Sequence, residues 1–189
     1  MSSIKLTADS GGGTFEIKAP ASSANTRVLT LPDTGNLTLG GPYGKLLQIP
    51  LFAIKTDLFS TSTTGSFQDI PGLSLTITPT LSSSKILILA NMCHDISSNS
   101  DYAYRLLRGS TALGNSTVGS EGNRVGIACG TNDADRGSPV SIIFLDSPNT
   151  TSATTYKIQA NHQNGTYRCN SRDGQWDGSS TIAVMEVGT

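Results

Sequence analysis

The sequence is poor in charged residues and has no cluster of one sign. Asp, Glu, Lys and Arg make up 14% of its 189 residues, against about 25% in an average soluble protein. The formal net charge is −1, and no run of lysine or arginine is longer than a pair. Nucleic acid backbones and anionic membrane surfaces are bound through such runs, so the sequence predicts neither partner.

Long apolar runs and helical periodicity are missing as well. No apolar run approaches the ~20 residues that span a bilayer, and residues 1–8 lack the apolar segment of a signal peptide. We therefore predict synthesis in the cytosol without a standard export signal, and no membrane insertion. No window shows the i, i+3, i+4, i+7 spacing of an amphipathic helix, so helix should be a minor component.

Cysteine is scarce, and the spacing of the cysteines does not indicate disulfide pairs. The three cysteines, Cys93, Cys129 and Cys169, are far apart, odd in number and free of any Cys-x-x-Cys spacing. This pattern favours three reduced and mostly buried thiols over a disulfide framework.

What the sequence does contain is strand-like apolar segments, the strongest at 85–92. Five consecutive apolar residues there occupy both faces of an extended strand, which predicts cover on both sides. A second run of this kind spans 140–145. Prolines and serines flank both runs and favour strands over buried helices. Two such strands would lie at the centre of a β-sandwich or in a subunit interface.

Further strand patterns fill residues 46–189, separated by turn residues every 8 to 15 positions. They fall at 46–59, 66–70, 73–78, 102–108, 111–113, 125–128, 138–146, 154–160 and 180–187. The stretch 114–137 is mostly a Gly-, Asn- and Asp-rich loop with only the weak strand at 125–128. This organisation predicts an all-β, jelly-roll-like β-sandwich over 46–189.

The pattern of residues 1–45 predicts a separate N-terminal module of short, extended β-hairpins. Four short alternating segments, 4–8, 14–18, 27–31 and 36–39, are joined by turn sequences and read as two hairpins. Each hairpin has one thin apolar face, which is too little to fold stably alone. We therefore expect identical copies of the module to pack around an axis. The Gly- and Pro-rich stretch 40–44 places the boundary between the two domains.

Several blocks of the sequence resemble bacteriophage fibre proteins. The segment 29–37, Leu-Thr-Leu-Pro-Asp-Thr-Gly-Asn-Leu, resembles a recurring element of tail fibres and fibre-like virion proteins. The second part is similar to C-terminal domains of marine phage fibre proteins at 70–79, 84–88, 104–114, 144–148 and 152–157. The resemblance covers nearly the whole chain. It implies a structural virion protein, a homotrimer that decorates the particle or contacts the host.

The composition of the two parts predicts a division of roles. Residues 1–45 have turn-rich connections and little side-chain variety, which suits docking on other virion proteins of tail or capsid and support of the trimer. Residues 46–189 concentrate the long polar loops, which suit recognition, and would face outward. A full tail fibre usually has a larger attachment domain, so a capsid-decorating head fibre or cement protein is an alternative. A free-standing carbohydrate-binding module is a second alternative.

The stretch 164–178 is the predicted recognition loop. It joins two strong strands and holds the only tryptophan, in a polar context where an aromatic is not expected to be core. Aromatic faces beside amides and charges suit a host-surface glycan or a protein epitope. The alternative is that Trp176 caps the sandwich or fills a trimer contact. The predicted contact residues are Tyr167, Arg168, Arg172, Asp173 and Trp176.

The sequence specifies no catalytic or cofactor site, and we expect neither an enzyme nor a bound metal. No nucleophile elbow and no phosphate-binding loop is present. Cys93 and His94 are adjacent and would face opposite sides of a strand, so with His162 they make a poor metal site. The segment 131–137 has carboxylates at Asp133 and Asp135 but lacks the late glutamate of an EF-hand. We therefore expect a solvated loop there rather than a calcium site.

Overall fold

The structure is a computed structural model that describes residues 3–7, 14–18, 45–48, 50–116, 125–172 and 176–188; at 3–7, 14–18, 172, 176 and 177 it describes the backbone alone. Within these ranges the chain forms fifteen strands and no helix. The all-β prediction is therefore confirmed. The strands are β1 (Ser3–Thr7), β2 (Thr14–Lys18), β3 (Leu51–Lys55), β4 (Phe59–Thr61), β5 (Gln68–Ile77), β6 (Lys85–Ile96), β7 (Ser100–Arg108), β8 (Thr111–Leu113), β9 (Ala128–Asn132), β10 (Ser138–Asp146), β11 (Thr154–His162), β12 (Tyr167–Cys169), β13 (Ser171–Arg172), β14 (Trp176–Asp177) and β15 (Ser180–Val187).

The chain divides into two compact units, Met1–Leu39 and Gly40–Thr189. In the first unit β1 and β2 pair antiparallel, from Ser3 opposite Lys18 to Thr7 opposite Thr14. The first predicted hairpin is thus confirmed. The other two predicted segments, 27–31 and 36–39, lie outside the described residues. That residues 1–45 dock on a virion or support a trimer stays a prediction.

In the second unit, sheet I is built around β6, which contains the central apolar run. One edge of β6 pairs with β10. The other edge pairs first with β15 and then with β12. β3 continues the sheet beside β15, and β4 continues it beside β12. All of these pairings are antiparallel, so β6 has neighbours on both edges along most of its length.

Sheet II contains β5, β11, β7 and β8 in that order, with β9 also beside β7. β8 pairs with the second half of β7, and β9 pairs with its first half. The tight turn Gly109–Ser110 joins β7 to β8 as the sequence predicts, and Gly109 adopts a positive φ of 58° there.

The two sheets pack face to face and bury one apolar core. On β6 the inward side chains alternate with outward ones, as the period of a strand requires. The largest fully buried side chains come from both sheets: Leu73, Ile77, Ile86, Ile88, Met92, Ile96, Tyr104, Leu106, Tyr156, Ile158, Tyr167 and Ile182. The predicted β-sandwich is therefore confirmed for the described residues of the second unit.

The sequence predicts two separate strands at 66–70 and 73–78, whereas the structure has one. The two predicted segments fall largely within a single strand, β5 (Gln68–Ile77), that runs through Pro71 and Gly72. The pairing with β11 is irregular between Lys157 and Gln159, opposite this point. A local bulge gives the strand room for a proline without a ladder hydrogen bond, and Gly72 adopts a φ of 84°.

A buried carboxylate fixes the connection between β5 and β6. Glu186 on β15 is fully buried and accepts hydrogen bonds from the backbone N–H and the hydroxyl of Thr80, at 2.7 and 2.8 Å. The side chain of Gln48 donates a further bond to it. Burial alone would raise the pKa of Glu186, but the hydrogen bonds from Gln48 and Thr80 contribute to a pKa below the usual value.

Candidate functional site

The predicted recognition loop is not a single open loop. Residues Tyr167–Cys169 form β12, which lies between β6 and β4 in sheet I. Tyr167 is fully buried, and its hydroxyl is 2.9 Å from the hydroxyl of Tyr104 on sheet II. The prediction that Tyr167 contacts a receptor at the surface is therefore wrong. A tyrosine can fill the core when its hydroxyl finds a partner there, and Tyr104 provides that partner.

Arg168 is held inside a network of charges rather than presented for binding. Its guanidinium donates to Asp95 at 2.9 Å and to Asp135 at 3.3 Å. Asp95 is buried on β6, whereas Asp135 lies in the loop between β9 and β10. The backbone N–H of Asp135 also donates to the carbonyl of Ile96. Arg168 thus ties this loop to sheet I, which is a structural role.

The remaining predicted contacts lie on a small hairpin. β13 and β14 pair with each other, with Arg172 opposite Trp176. The side chains of these two residues, and Asp173 altogether, lie outside the described residues. A recognition role for Arg172, Asp173 and Trp176 therefore stays a prediction.

The base of this hairpin is anchored by Asn170. Asn170 is buried, adopts a positive φ of 73°, and its side-chain amide donates to the carbonyls of Lys55 and Asp57. Its side-chain oxygen accepts from the hydroxyl of Ser180 at 2.6 Å. The backbone N–H of Gly178 donates to the carbonyl of Asn170 and closes the base. The hairpin therefore starts and ends at fixed points of the sandwich.

A buried aromatic cluster underlies this end of the molecule. The ring of His94 lies 4.5 Å from that of Tyr102, 5.5 Å from that of Tyr104 and 5.7 Å from that of Tyr167, between ring centroids. Burial lowers the pKa of His94 to about 4. His94 is thus a neutral core residue at pH 7. Among the residues that the structure describes, no group of three His, Cys, Asp or Glu side chains could hold a metal ion.

The cysteines differ in environment. All three are free: Cys169 is buried, Cys93 is partly exposed and Cys129 is exposed. The prediction of mostly buried thiols is wrong for Cys129. Its position on β9, outside the core of sheet II, explains the exposure.

A polar cleft opens at one end of the sandwich, with a volume of about 260 Å³. Three segments line it, residues 99–101, 131–133 and 163–164. The hydroxyl of Ser100 accepts hydrogen bonds from the backbone N–H groups of Gln163 and Asn164, both at 3.0 Å. The side-chain oxygen of Asn99 accepts from the N–H of Ala134. The walls of the cleft are thus fixed by bonds between the segments.

The cleft combines residues 131–133 of the polar stretch 114–137 and residues 163–164, at the start of the predicted recognition loop, with a segment that the sequence does not single out. Its lining consists of amide, hydroxyl and carboxylate side chains, including Asp101, Thr131 and Asp133. Such groups can exchange hydrogen bonds with the hydroxyls of a sugar, although no aromatic side chain lines the cleft. The Ser- and Asn-rich turn 97–100 between two strands is the signal that could have pointed to the third segment.

The outward side of sheet I carries a continuous apolar surface. Residues directly opposite each other in the ladders of β3, β15, β6 and β10 form rows across the sheet. One row contains Phe52, Ala183, Leu89 and Ile143, and the next contains Met185, Leu87 and Leu145. We call the apolar residues on this side the outer face. They are Leu46, Phe52, Ile54, Leu87, Leu89, Ile143, Leu145, Ala183, Met185 and Val187.

The outer face is open to solvent in the single chain. Five of its side chains are exposed by between 53% and 73%, with Ile143 the most exposed. The expectation that the runs 85–92 and 140–145 are covered on both sides is therefore wrong for the described chain, since only their inward side chains are buried. The alternative that they belong to a subunit interface stays a prediction.

Polar residues limit the outer face along the strands. At one end lies a row with Asn91 and Ser141, joined by a hydrogen bond of 2.6 Å. At the other end Lys85 donates to the hydroxyl of Ser147. Within the described chain β10 pairs only with β6, so its second edge carries unpaired backbone groups. Within the described ranges, the chain has no helical segment that could span a lipid bilayer.

Comparisons with known proteins give no family. No protein-family model matches the chain, and no curated protein matches it. Among solved structures, that of the Gx strain of infectious bursal disease virus covers 98% of this chain, with 13% identity and a TM-score of 0.39. The crystal structure of a T13 particle of the same virus covers 94%, with 12% identity and a TM-score of 0.40. The chain spans 47% and 42% of those two proteins, and similarity of this degree assigns no function.

Proposed function

We propose that this chain is a structural virion protein, the subunit of a homotrimeric fibre-like appendage of a bacteriophage. The observation that carries the proposal is the outer face. A sandwich that leaves ten apolar residues on one side of a sheet exposed or partly exposed is suited to an assembly rather than to a free monomer. The order of the blocks that resemble phage fibre proteins supplies the virion context.

The sparse charge of the chain agrees with this role. A surface of hydroxyls and amides suits an extracellular particle, and the polar cleft supplies a place where such an appendage can contact a host-surface glycan or protein. The proposal includes no catalytic step and no cofactor. Its docking partner is another virion protein of the tail, or of the capsid if the chain is a decoration protein.

A free-standing carbohydrate-binding module is the second candidate, because the polar cleft offers hydrogen-bonding groups that suit a sugar. The two candidates differ in what they require of residues 1–40. A fibre subunit needs this segment to dock on the particle, whereas a free lectin binds its glycan without it.

The test follows from that difference. The full chain and a variant without residues 1–40, both with a small C-terminal tag, are produced during phage infection, and purified particles are imaged with a label for the tag. We expect label on the particles only for the full chain, and its position distinguishes tail from capsid. Absence of the full chain from particles, together with glycan binding by the shortened chain, would reject the virion role and favour the lectin.

A further inference from the structure

The outer face has the composition of a permanent interface. Its two central rows contain only apolar side chains, with small Ala183 between large Phe52 and Leu89. Interfaces between separately folded partners are about as polar as the rest of a protein surface, whereas obligate homo-oligomeric interfaces resemble a domain core cut in half. This surface is of the second kind.

The size of the face agrees with a stable contact. Its five most exposed members expose 53–73% of their surface. At about 150 Å² for each large side chain, they present on the order of 450 Å² of apolar area. A standard interface buries roughly 800 Å² on each partner, so these five residues supply more than half of one. The partly exposed members Leu87, Leu89, Ala183, Met185 and Val187 add to that area.

The charges around the face do not favour a foreign partner. No acidic or basic side chain lies in the two central rows; the neighbouring Glu186, Asp146 and Lys55 are buried at inward positions, and Lys85, at the end of β6, donates to Ser147. A different protein would be selected by complementary charges at the contact, and this face offers none. A second copy of this chain can bind without complementary charges, because the apolar surfaces of the two copies bury each other.

We infer that the outer face of sheet I packs against the outer faces of further copies of this chain and forms the subunit interface of the sandwich domain. The inference rests on the trimer of the proposed function and adds the surface that holds it together. Strands β3, β15, β6 and β10 of each copy then lie towards the symmetry axis, and sheet II lies on the outside.

The first experiment compares the mass of the purified full chain with that of a double variant, by light scattering at micromolar concentration. The substitutions Phe52→Lys and Ile143→Lys place a charge on each side of the face, at positions that are largely solvent-exposed in the single chain. A buried unpaired charge opposes assembly but costs little on an open surface. We expect the trimer mass to fall to one third, with an unchanged β-sheet circular dichroism spectrum.

The matched control carries the same charges on the opposite sheet. Ser74 and Thr76 are exposed on β5, and the variant Ser74→Lys with Thr76→Lys should keep the trimer mass. A trimer that survives the two lysines on the outer face would overturn the inference, and so would a wild-type chain that is monomeric.

A second measurement needs no variant and therefore does not depend on folding of the lysine variant. Hydroxyl-radical footprinting of the wild-type chain reports the accessibility of Met185 on the outer face, with the core residue Met92 as an internal reference. We expect both methionines to be protected in the trimer. Rapid oxidation of Met185 in the assembled protein would overturn the inference.

The outcomes separate the interface from the function. A chain that forms the trimer through this face but is absent from virions supports the interface and contradicts the proposed function. A chain that enters virions although the lysine variant keeps its trimer contradicts the interface and leaves the function standing.

Discussion

At the scale of single residues, the aromatic cluster around His94 contributes to the response of the protein to acid. The imidazole is packed against three tyrosine rings, so its protonation in the folded state would bury a charge. Its pKa is lowered from 6.5 to about 4. Between these values the unfolded chain binds a proton that the folded chain does not, so the free energy of unfolding falls as the pH is lowered through this range.

We therefore expect His94→Phe to reduce the acid sensitivity of the fold. The shift corresponds to on the order of 3 kcal/mol lost in the wild type by pH 4, at about 1.4 kcal/mol per pH unit. Urea unfolding at pH 7 and at pH 4.5 measures the difference. His162, whose pKa is also lowered by burial, is present in both proteins and provides a common background. An equal loss of stability in wild type and variant would contradict this account.

The hydrogen bond between Tyr104 and Tyr167 offers a second residue-scale prediction. Both side chains are fully buried, and their hydroxyls join the two sheets at 2.9 Å. Tyr167→Phe leaves the hydroxyl of Tyr104 unpaired in the core, which should cost about 1–3 kcal/mol. The double variant Tyr104→Phe with Tyr167→Phe removes both groups and should be less destabilised than the sum of the single variants. Chemical denaturation of all four proteins completes the cycle, and strict additivity would show that the hydroxyls are not coupled.

The same pair shows where prediction from sequence reaches its limit. The local sequence around Tyr167 is polar, rich in Asn, Arg and Asp, and predicts a surface loop. The burial of Tyr167 depends on Tyr104, which is 63 residues away in the chain. A pattern of neighbouring residues cannot predict a contact between residues so far apart in the chain. The four buried positions of β15, in contrast, follow from the alternation of residues along that strand.

At the scale of elements, strand identity was predictable wherever apolar and polar residues alternate. β6, β7, β10, β11 and β15 all fall on predicted segments. β9 does not, since the prediction ends at Ala128 and the strand runs from Ala128 to Asn132. Its residues include Gly130, against which the ring of Tyr102 packs so closely that a Cβ would meet the hydroxyl at 2.8 Å. A cross-strand aromatic can stabilise a strand that its own residues do not favour.

The anchor of the β13–β14 hairpin provides a prediction at this scale. Asn170→Ala removes the buried hydrogen bonds to Lys55, Asp57 and Ser180 and places an ordinary side chain at positive φ. We expect a loss of about 3 kcal/mol or more, at roughly 1 kcal/mol for each hydrogen bond plus backbone strain. Asn170→Gly, which tolerates the backbone conformation, should lose about 1 kcal/mol less. Equal urea midpoints for the two variants would show that the backbone conformation contributes nothing.

At the scale of the whole molecule, the sequence predicts a β-sandwich but not the surfaces that form where segments distant in the chain meet. The apolar runs 85–92 and 140–145 are predicted as strands and form β6 and β10, but that the two pair in one sheet is not contained in the pattern; their outward residues are part of the outer face. The polar cleft could not be predicted, because it depends on three segments that meet only through the connections of the two sheets. The clearest large-scale expectation concerns assembly, and the lysine variants of the outer face test it.

The unpaired edge of β10 has a consequence for the chain before it assembles. Along this strand exposed Ile143 and Leu145 lie beside backbone groups that no described strand pairs, which is the arrangement that promotes edge-to-edge aggregation. Pro139 near the start of the strand and Pro148 shortly after its end donate no ladder hydrogen bond and restrict how far a wrongly added strand can extend. Edge-to-edge aggregation is an association between chains, so its rate rises with chain concentration. We therefore expect the yield of soluble protein on refolding to be highest in dilute solution and to fall as the concentration is raised.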